Sequence, residues 1–481
     1  MLLALVFAYL LVTIAIGLVA AKRVKNTADF AVAGRHLPLI MIVTTTFATW
    51  FGSETVLGIP AKFVNSGLNG VVEDPFGAGT CLILVGIFFA ARLYKMNLLT
   101  ISDYYRERYG RSVEVICSVI IMLSYLGWVS AQVTALGLVF NLLSNGAISI
   151  PMGMVLGVVS ILAYTLFGGM WSVAITDFIQ MIILVGGLAI LAVFAGHQAG
   201  GADKVIAFAI DKDLFRFWPE PSFTDIAFFF AAAITMMLGS IPQQDVFQRV
   251  MSANSVQSAS RGPVIGGVLY ILFAFVPMFL VASALIIMPE QVQGLLKDDP
   301  QKVLPTLVLE RMPFFMQVLF FGALLSAIKS TASATLLAPS VTFTENIWRQ
   351  FRPFKSDRQE LRTMRITVLV FSACVLLYAI QMQGTSIYEM VSGAYQVTLV
   401  GAFVPLVAGL YWARATTQGA VFSIVLGVLT WLLFLYTPAG VAFPAQLAGL
   451  LAGITGMVLG SLGPQTLANQ RAPHHKLPGL G

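Results

Sequence analysis

Apolar residues run along this chain in stretches of about twenty, each closed by a short polar segment. About twenty apolar residues are needed for a helix to cross the hydrocarbon of a bilayer. Thirteen runs meet or approach that length, near 2–21, 38–62, 75–94, 113–142, 151–168, 175–196, 223–243, 263–288, 313–340, 366–383, 386–412, 418–436 and 444–463. The pattern predicts an all-α polytopic membrane protein with 13 transmembrane helices.

Composition agrees. Hydrophobic residues make up 58% of the 481, charged residues 10%, and the mean hydropathy is +0.86. Soluble domains carry about 25% charge, and no soluble interior hides so much apolar surface. The net charge of +6 does not point to nucleic acid, because the charges lie in the loops between the runs. Twenty of the 28 Lys and Arg fall on one side if the N-terminus is outside. Seven fall on the other (Lys62, Lys204, Lys212, Arg216, Lys297, Lys302, Arg311), and Lys329 lies within a run. The positive-inside rule then gives N-out/C-in. The run after Met1 lacks a basic start and a small-residue cleavage site, so it reads as a spanning helix rather than a signal peptide. The expected location is the cell inner membrane, multi-pass.

Cys81, Cys117 and Cys374 fall in separate apolar runs, and His36, His197, His474 and His475 in loops or the tail. None has metal-ligand spacing. Residues 197–222 and 289–312 are long outer segments able to carry short interfacial helices. Gln465 to Gly481 reads as a loose polar tail.

Two runs are interrupted by glycine and proline, which weaken or break the helical ladder. The second contains Phe51-Gly52-Ser53-Glu54-Thr55-Val56-Leu57-Gly58-Ile59-Pro60, and the seventh Leu238-Gly239-Ser240-Ile241-Pro242-Gln243-Gln244-Asp245. With the first run and the last two set aside, these head two sets of five. Matching interruptions point to an inverted-repeat transporter with its site at mid-membrane; packing kinks are the plainer explanation. The division is an extra N-terminal helix and inside loop (1–37), a first inverted repeat (38–196), an outer loop (197–222), a second inverted repeat (223–412), and two C-terminal helices with the tail (413–481).

Four stretches carry a resemblance. They are Ala28-Asp29-Phe30-Ala31-Val32-Ala33-Gly34-Arg35; Phe167-Gly168-Gly169-Met170-Trp171-Ser172-Val173-Ala174-Ile175-Thr176-Asp177-Phe178-Ile179-Gln180; Leu325-Ser326-Ala327-Ile328-Lys329-Ser330-Thr331-Ala332-Ser333; and Gly409-Leu410-Tyr411-Trp412. In this order, the chain resembles the sodium/solute symporter family over essentially its whole length. Ala48-Thr49-Trp50-Phe51-Gly52 and Gln244-Asp245-Val246-Phe247-Gln248-Arg249 resemble the choline-transporter-like and proline-transporter-like branches.

The resemblance implies a sodium ion, co-transported, held by the carbonyls of Ala48, Phe51 and Ala327 and the hydroxyls of Ser330 and Thr331. Spacing adds only that Ala327, Ser330 and Thr331 share one helix face; hydroxyls bonding back to the preceding turn are common there. Lys329 departs from the family, which has an apolar residue at this place. It lies about 200° from Ala327 at 100° per residue, so it points off the ion face, and a buried lysine marks function by default. Its ammonium in place of sodium, giving a proton-coupled or uncoupled carrier, is the alternative. Glu54, Asp177 and Glu389 are the acids read as buried. Asp177 matches the family's aspartate and is expected to receive the released ion, or to be a first-turn acid favoured by the helix dipole. Glu389 is expected near the outer end of its helix.

The solute is expected between the two breaks, touching Trp50, Ser53, Glu54, Gln243, Trp128 and Gln132. Aromatic faces attract cations, and a glutamate beside them suits an amine. Interface anchoring is the plainer role for tryptophan; Trp50 lies too deep for it, and Trp128 is open. Sugar carriers of the family have an aromatic gate where this chain has Gly239. The reading is a sodium-coupled symporter importing a small organic solute, a proline-like amino acid or a choline-like amine. A transporter-like sensor is a second class. A membrane enzyme is not supported, because no nucleophile elbow or phosphate loop is present.

Overall fold

The computed structural model describes residues 1–467 and is helical throughout. Among these residues ten helices are long and apolar enough to cross a membrane. They are α1 (Leu2–Ala21), α4 (Leu68–Lys95), α6 (Arg111–Leu143), the Thr165–Gln198 half of α7 (Ile150–Gln198), α10 (Val256–Ile287), α11 (Phe314–Phe351), α12 (Asp357–Gln381), α13 (Ile387–Tyr411), α14 (Thr417–Leu435) and α15 (Ala445–Leu462). The seventh run is a pair, α8 (Phe223–Gly239) and α9 (Gln244–Ser252), bent by 44°. The second run is α2 (Leu39–Trp50), a break, a π-helical turn and α3 (Ile59–Ser66). The two long segments 197–222 and 289–312 carry the short helices Ala202–Asp211, Pro289–Asp298 and Val303–Arg311. A polar helix α5 (Ile101–Tyr109), closed by a Thr100–Asp103 capping box, occupies what reads in sequence as a loop.

Helix α7 packs against α1, α2 and α11, α6 against α13, and α14 and α15 chiefly against each other. The start of the expected loose tail is tied down, since Thr466 donates its N–H to Gln418 Oε1 at 2.8 Å. Arg471, His474, His475 and Lys476, with the rest of the tail from 468, lie outside the described residues.

The motifs that carry the family resemblance meet in space. Gly169 takes φ +47°, and a Cβ there would lie 2.3 Å from the Phe30 carbonyl oxygen. Only glycine lets α7 kink and admit the short helix Thr27–Val32 at this closeness. The Arg108 guanidinium of α5 is buried and donates to the carbonyls of Gly409 (3.1 Å), in the last turn of α13, and Ala415 (2.8 Å), just past it. Gly169→Ala is expected to cost about 1–3 kcal/mol, because the neighbour it strikes is backbone and cannot swing aside. Thermal unfolding of the detergent-purified protein checks this; an unchanged midpoint would refute the close approach.

Candidate functional site

The first broken segment is built by withholding backbone hydrogen bonds. Phe51 N–H still reaches Phe47 O at 2.9 Å, and Val56 N–H reaches Gly52 O at 3.3 Å. Between them, residues 52–55 make none of the four bonds that would continue α2. The carbonyls of Ala48, Thr49, Trp50 and Phe51 are thereby released. Trp50's accepts from the Thr55 hydroxyl at 3.3 Å, and Ser53 N–H is taken by Gln132 Oε1 at 2.9 Å. Freed carbonyls at this depth survive only inside protein, and this stretch is fully buried.

On one side of the break stands α11. Ala48, Ala327 and Ser330 line a closed gap, too tight for a water molecule, together with Ser326, Gln180 and Met181. Ser330 Oγ donates to Asp177 Oδ1 at 2.6 Å, and Thr45 Oγ1 of α2 donates to Asp177 Oδ2 at 2.5 Å. The Thr331 hydroxyl is buried without a partner. It faces Gly52, where a Cβ would sit 2.7 Å from it. Ala48, Ala327 and Ser330 thus border one gap and Thr331 faces Gly52, while the Phe51 ring packs on Phe47, Tyr270 and Phe273. Asp177 lies two turns past the Gly169 kink, inside α7, so it is not a first-turn acid. It touches Ser330 directly.

Lys329 points away from this cluster, as its helix position requires, and donates from Nζ to Thr13 Oγ1 of α1 at 2.6 Å. One turn earlier, Tyr9 of α1 bonds to Ser326. Together the two pairs fasten α1 to α11.

A second cluster also borders Gly52. Glu54 accepts from Trp128 Nε1 (3.0 Å) and Gln132 Nε2 (2.6 Å) of α6. A Cβ on Gly52 would lie 2.6 Å from Glu54 Oε2. Trp50 and Trp128 are each 1% exposed, which excludes interface anchoring for both. Their ring centroids are 5.8 Å apart, and Tyr395 of α13 lies 5.9 Å from Trp50 and 5.3 Å from Trp128. The three rings pack on one another. Gln243, at the second break, bonds to Ser124 (2.9 Å) and Thr398 (3.4 Å) and not to Glu54. Thr398 in turn donates to Gly239 O at 2.6 Å. A Cβ on Gly239 would meet Tyr395 O at 2.5 Å, so this glycine lets the second break lie against the aromatic cluster.

Several charges depart from expectation. Arg249, counted in sequence as a loop cation, is 1% exposed. It donates to Thr45 O (3.4 Å), Asp245 O (2.6 Å) and Thr49 Oγ1, and Thr49 passes a 3.5 Å bond to Asp177. Asp245 is buried too and exchanges two bonds with the Tyr125 hydroxyl. Glu73 and Asp74, unremarked in sequence, are buried, whereas Glu389 is exposed. The Glu73-Asp74-Pro75 step at the head of an apolar run was the available signal. For Tyr395 there was none beyond its apolar helix.

The fold and this arrangement define a multi-pass transport protein. Residues 30–427 match the Sodium:solute symporter family, and the chain belongs to it. It is 27% identical to the human high affinity choline transporter 1 over 89% of this chain and 75% of that one. It is 28% identical to the high-affinity proline transporter PutP of Bacillus subtilis over 86% and 88%. In fold it is similar to a Na⁺-coupled sialic acid symporter in a substrate-bound outward-open state, with TM-score 0.81, 22% identity and coverage of 96% and 97%. It is also similar to Mhp1, a nucleobase-cation-symport-1 transporter, at TM-score 0.63 and 15% identity over 90% and 94%. These are transporters and not enzymes.

Proposed function

We propose that the chain is a sodium-coupled symporter that imports a small organic amine or amino acid by alternating access. One observation carries the reading. The Thr331 hydroxyl and the Glu54 carboxylate both crowd the place a Cβ on Gly52 would take, at 2.7 and 2.6 Å, so the ion-facing and solute-facing groups meet at one residue of the unwound segment. Sodium takes the released carbonyls of Ala48 and Phe51, the Ala327 carbonyl, and the Ser330 and Thr331 hydroxyls. It joins α2 to α11 and holds the break in the shape that presents Glu54, Trp50 and Ser53 to the solute. Trp128, Gln132 and, through Ser124, Gln243 complete that side. Because each ligand organises the segment the other uses, their affinities rise together. Asp177, already on Ser330, receives the ion on its way inward, driven by about 2.3 kcal/mol per charge per 100 mV.

The two shorter apolar helices, Leu39–Trp50 and Ile150–Ala163, and the bent pair would bring the crossings to thirteen. The broken spans then head repeats 38–196 and 223–412, flanked by 1–37 and 413–481, with the N-terminus outside the cell inner membrane. Lys329, engaged with α1, serves there to anchor α1, which favours the hydroxyl site for the coupling ion.

The test is thermal stabilisation of purified protein in sodium against potassium chloride at equal ionic strength. At about 100 times Kd, sodium adds about 2.7 kcal/mol. Ser330→Ala with Thr331→Ala is expected to abolish the difference, and Thr331→Ser to retain it. A wild-type protein indifferent to sodium would overturn the coupling ion.

A further inference from the structure

Glu73 and Asp74 belong to neither the ion-facing nor the aromatic cluster. Both lie at the start of α4, where Asp74 leaves helical geometry (φ −138°, ψ 119°). Irregular backbone inside a span belongs where it lines a cavity. Here it lines a closed gap, too tight for a water molecule, walled by Glu54, Glu73, Asp74, Met236, Tyr388, Val391 and Ser392. Glu73 Oε2 accepts from Ser392 Oγ at 2.9 Å, and Asp74 Oδ1 from the Tyr270 hydroxyl at 2.5 Å. The second oxygen of each, Glu73 Oε1 and Asp74 Oδ2, is buried with no hydrogen-bond partner. Tyr270 also bonds to Thr55 at 2.9 Å, which ties Asp74 to the broken segment.

Three carboxylates thus border one gap, and no Lys or Arg lines it. The near cation is Lys62, 5.9 Å from the Tyr388 ring centroid, and it lines a separate cavity of about 490 Å³ on which Tyr388 also borders. Buried carboxylates are tolerated when paired or hydrogen-bonded, and two oxygens here are neither. Among the described residues no three acids are arranged to hold a metal ion. Met236, Val391 and the Tyr388 ring offer no hard oxygen wall but do suit a methylene chain. A single cationic head in the aromatic cluster would neutralise Glu54 alone.

We propose that this gap, its walls parted, is a second ammonium subsite, so that the solute is an aliphatic diamine. One ammonium lies against Glu54 and the Trp50, Trp128 and Tyr395 rings, and the other between Glu73 and Asp74. This rests on the reading that the solute occupies the Glu54 cluster.

The experiment measures uptake by full-length protein in sodium-loaded-gradient liposomes, and thermal shifts in sodium, with 1,4-diaminobutane, 1,5-diaminopentane, 1-aminopentane and choline. The diamines are expected to bind at least about tenfold more tightly than the monoamines, a difference of about 1.4 kcal/mol. Asp74→Asn and Glu73→Gln, each near in shape to the native residue, are expected to erase that preference and to leave the sodium-induced shift unchanged. Equal affinity for mono- and diamines in a protein that still responds to sodium overturns the subsite and leaves the symport reading standing. Loss of the sodium response in the wild type overturns the symport reading instead. Variants that change only the pH dependence of uptake assign the two acids to protons and overturn the proposal.

Discussion

Gly52→Ala is expected to lower sodium-driven uptake at least about 100-fold, near 2.7 kcal/mol, while the protein still folds. The three atoms closest to the added methyl belong to side chains. Its nearest neighbours are Glu54 Oε2 at 2.6 Å, Thr331 Oγ1 at 2.7 Å and Gln132 Oε1 at 3.0 Å, all side-chain ends that can turn away. The fold therefore yields, and what is displaced is the pair of polar groups assigned to the solute and the ion. Gly169→Ala makes the opposite trade, because its methyl strikes the Phe30 carbonyl. Paired measurements of melting and of sodium- and solute-induced shifts separate the two. A Gly52→Ala protein with normal sodium and solute responses would sink the view that one unwound segment serves both ligands.

Arg249→Met is expected to cost about 3–5 kcal/mol of stability, the usual price of breaking a buried charge network. The side chain bridges α9 to α2 through Thr45 O and Thr49 Oγ1, and reaches Asp177 by way of the Thr49 hydroxyl. Methionine fills much of the volume but leaves those acceptors and Asp177 without a cation. Arg249→Lys is expected to rescue little, since one ammonium does not reproduce a fork that spans Thr45, Thr49 and Asp245. If sodium binds beside Asp177, it offsets part of the lost charge, so the Met variant melts less far below the wild type in sodium than in potassium. A Met variant that melts with the wild type in both salts would remove Arg249 from this role.

How far the site could be read from sequence follows from what local pattern encodes. The length of the apolar runs is a one-dimensional property, set by bilayer thickness, and it shows directly in the sequence. So do the breaks, because glycine and proline alter the backbone where they stand. The face shared by Ala327, Ser330 and Thr331, and the opposite direction of Lys329, follow from helix period alone, and the structure agrees with both. Trp50, Ser53, Glu54, Trp128 and Gln132, from two segments, come together as expected.

Proximity between distant segments is not a local property, and there the tertiary structure decided. Arg249 reads as a loop cation because it follows a short polar stretch; only the docking of α9 on α2 and α7 shows its burial. Asp177 reads as a helix start, because Gly168-Gly169 resembles a loop. The kink instead carries α7 through it and sets Asp177 on Ser330. Tyr395 looks like any aromatic in an apolar helix until Gly239 lets the second break close on it. Glu73 and Asp74 look like loop acids at the mouth of a span. Packing against Tyr270 and Ser392 buries them, since hydrogen bonds from two other helices take one oxygen of each. Where a residue's chemistry depends on its own helix, sequence alone determined it; where it depends on which helix lies opposite, packing did.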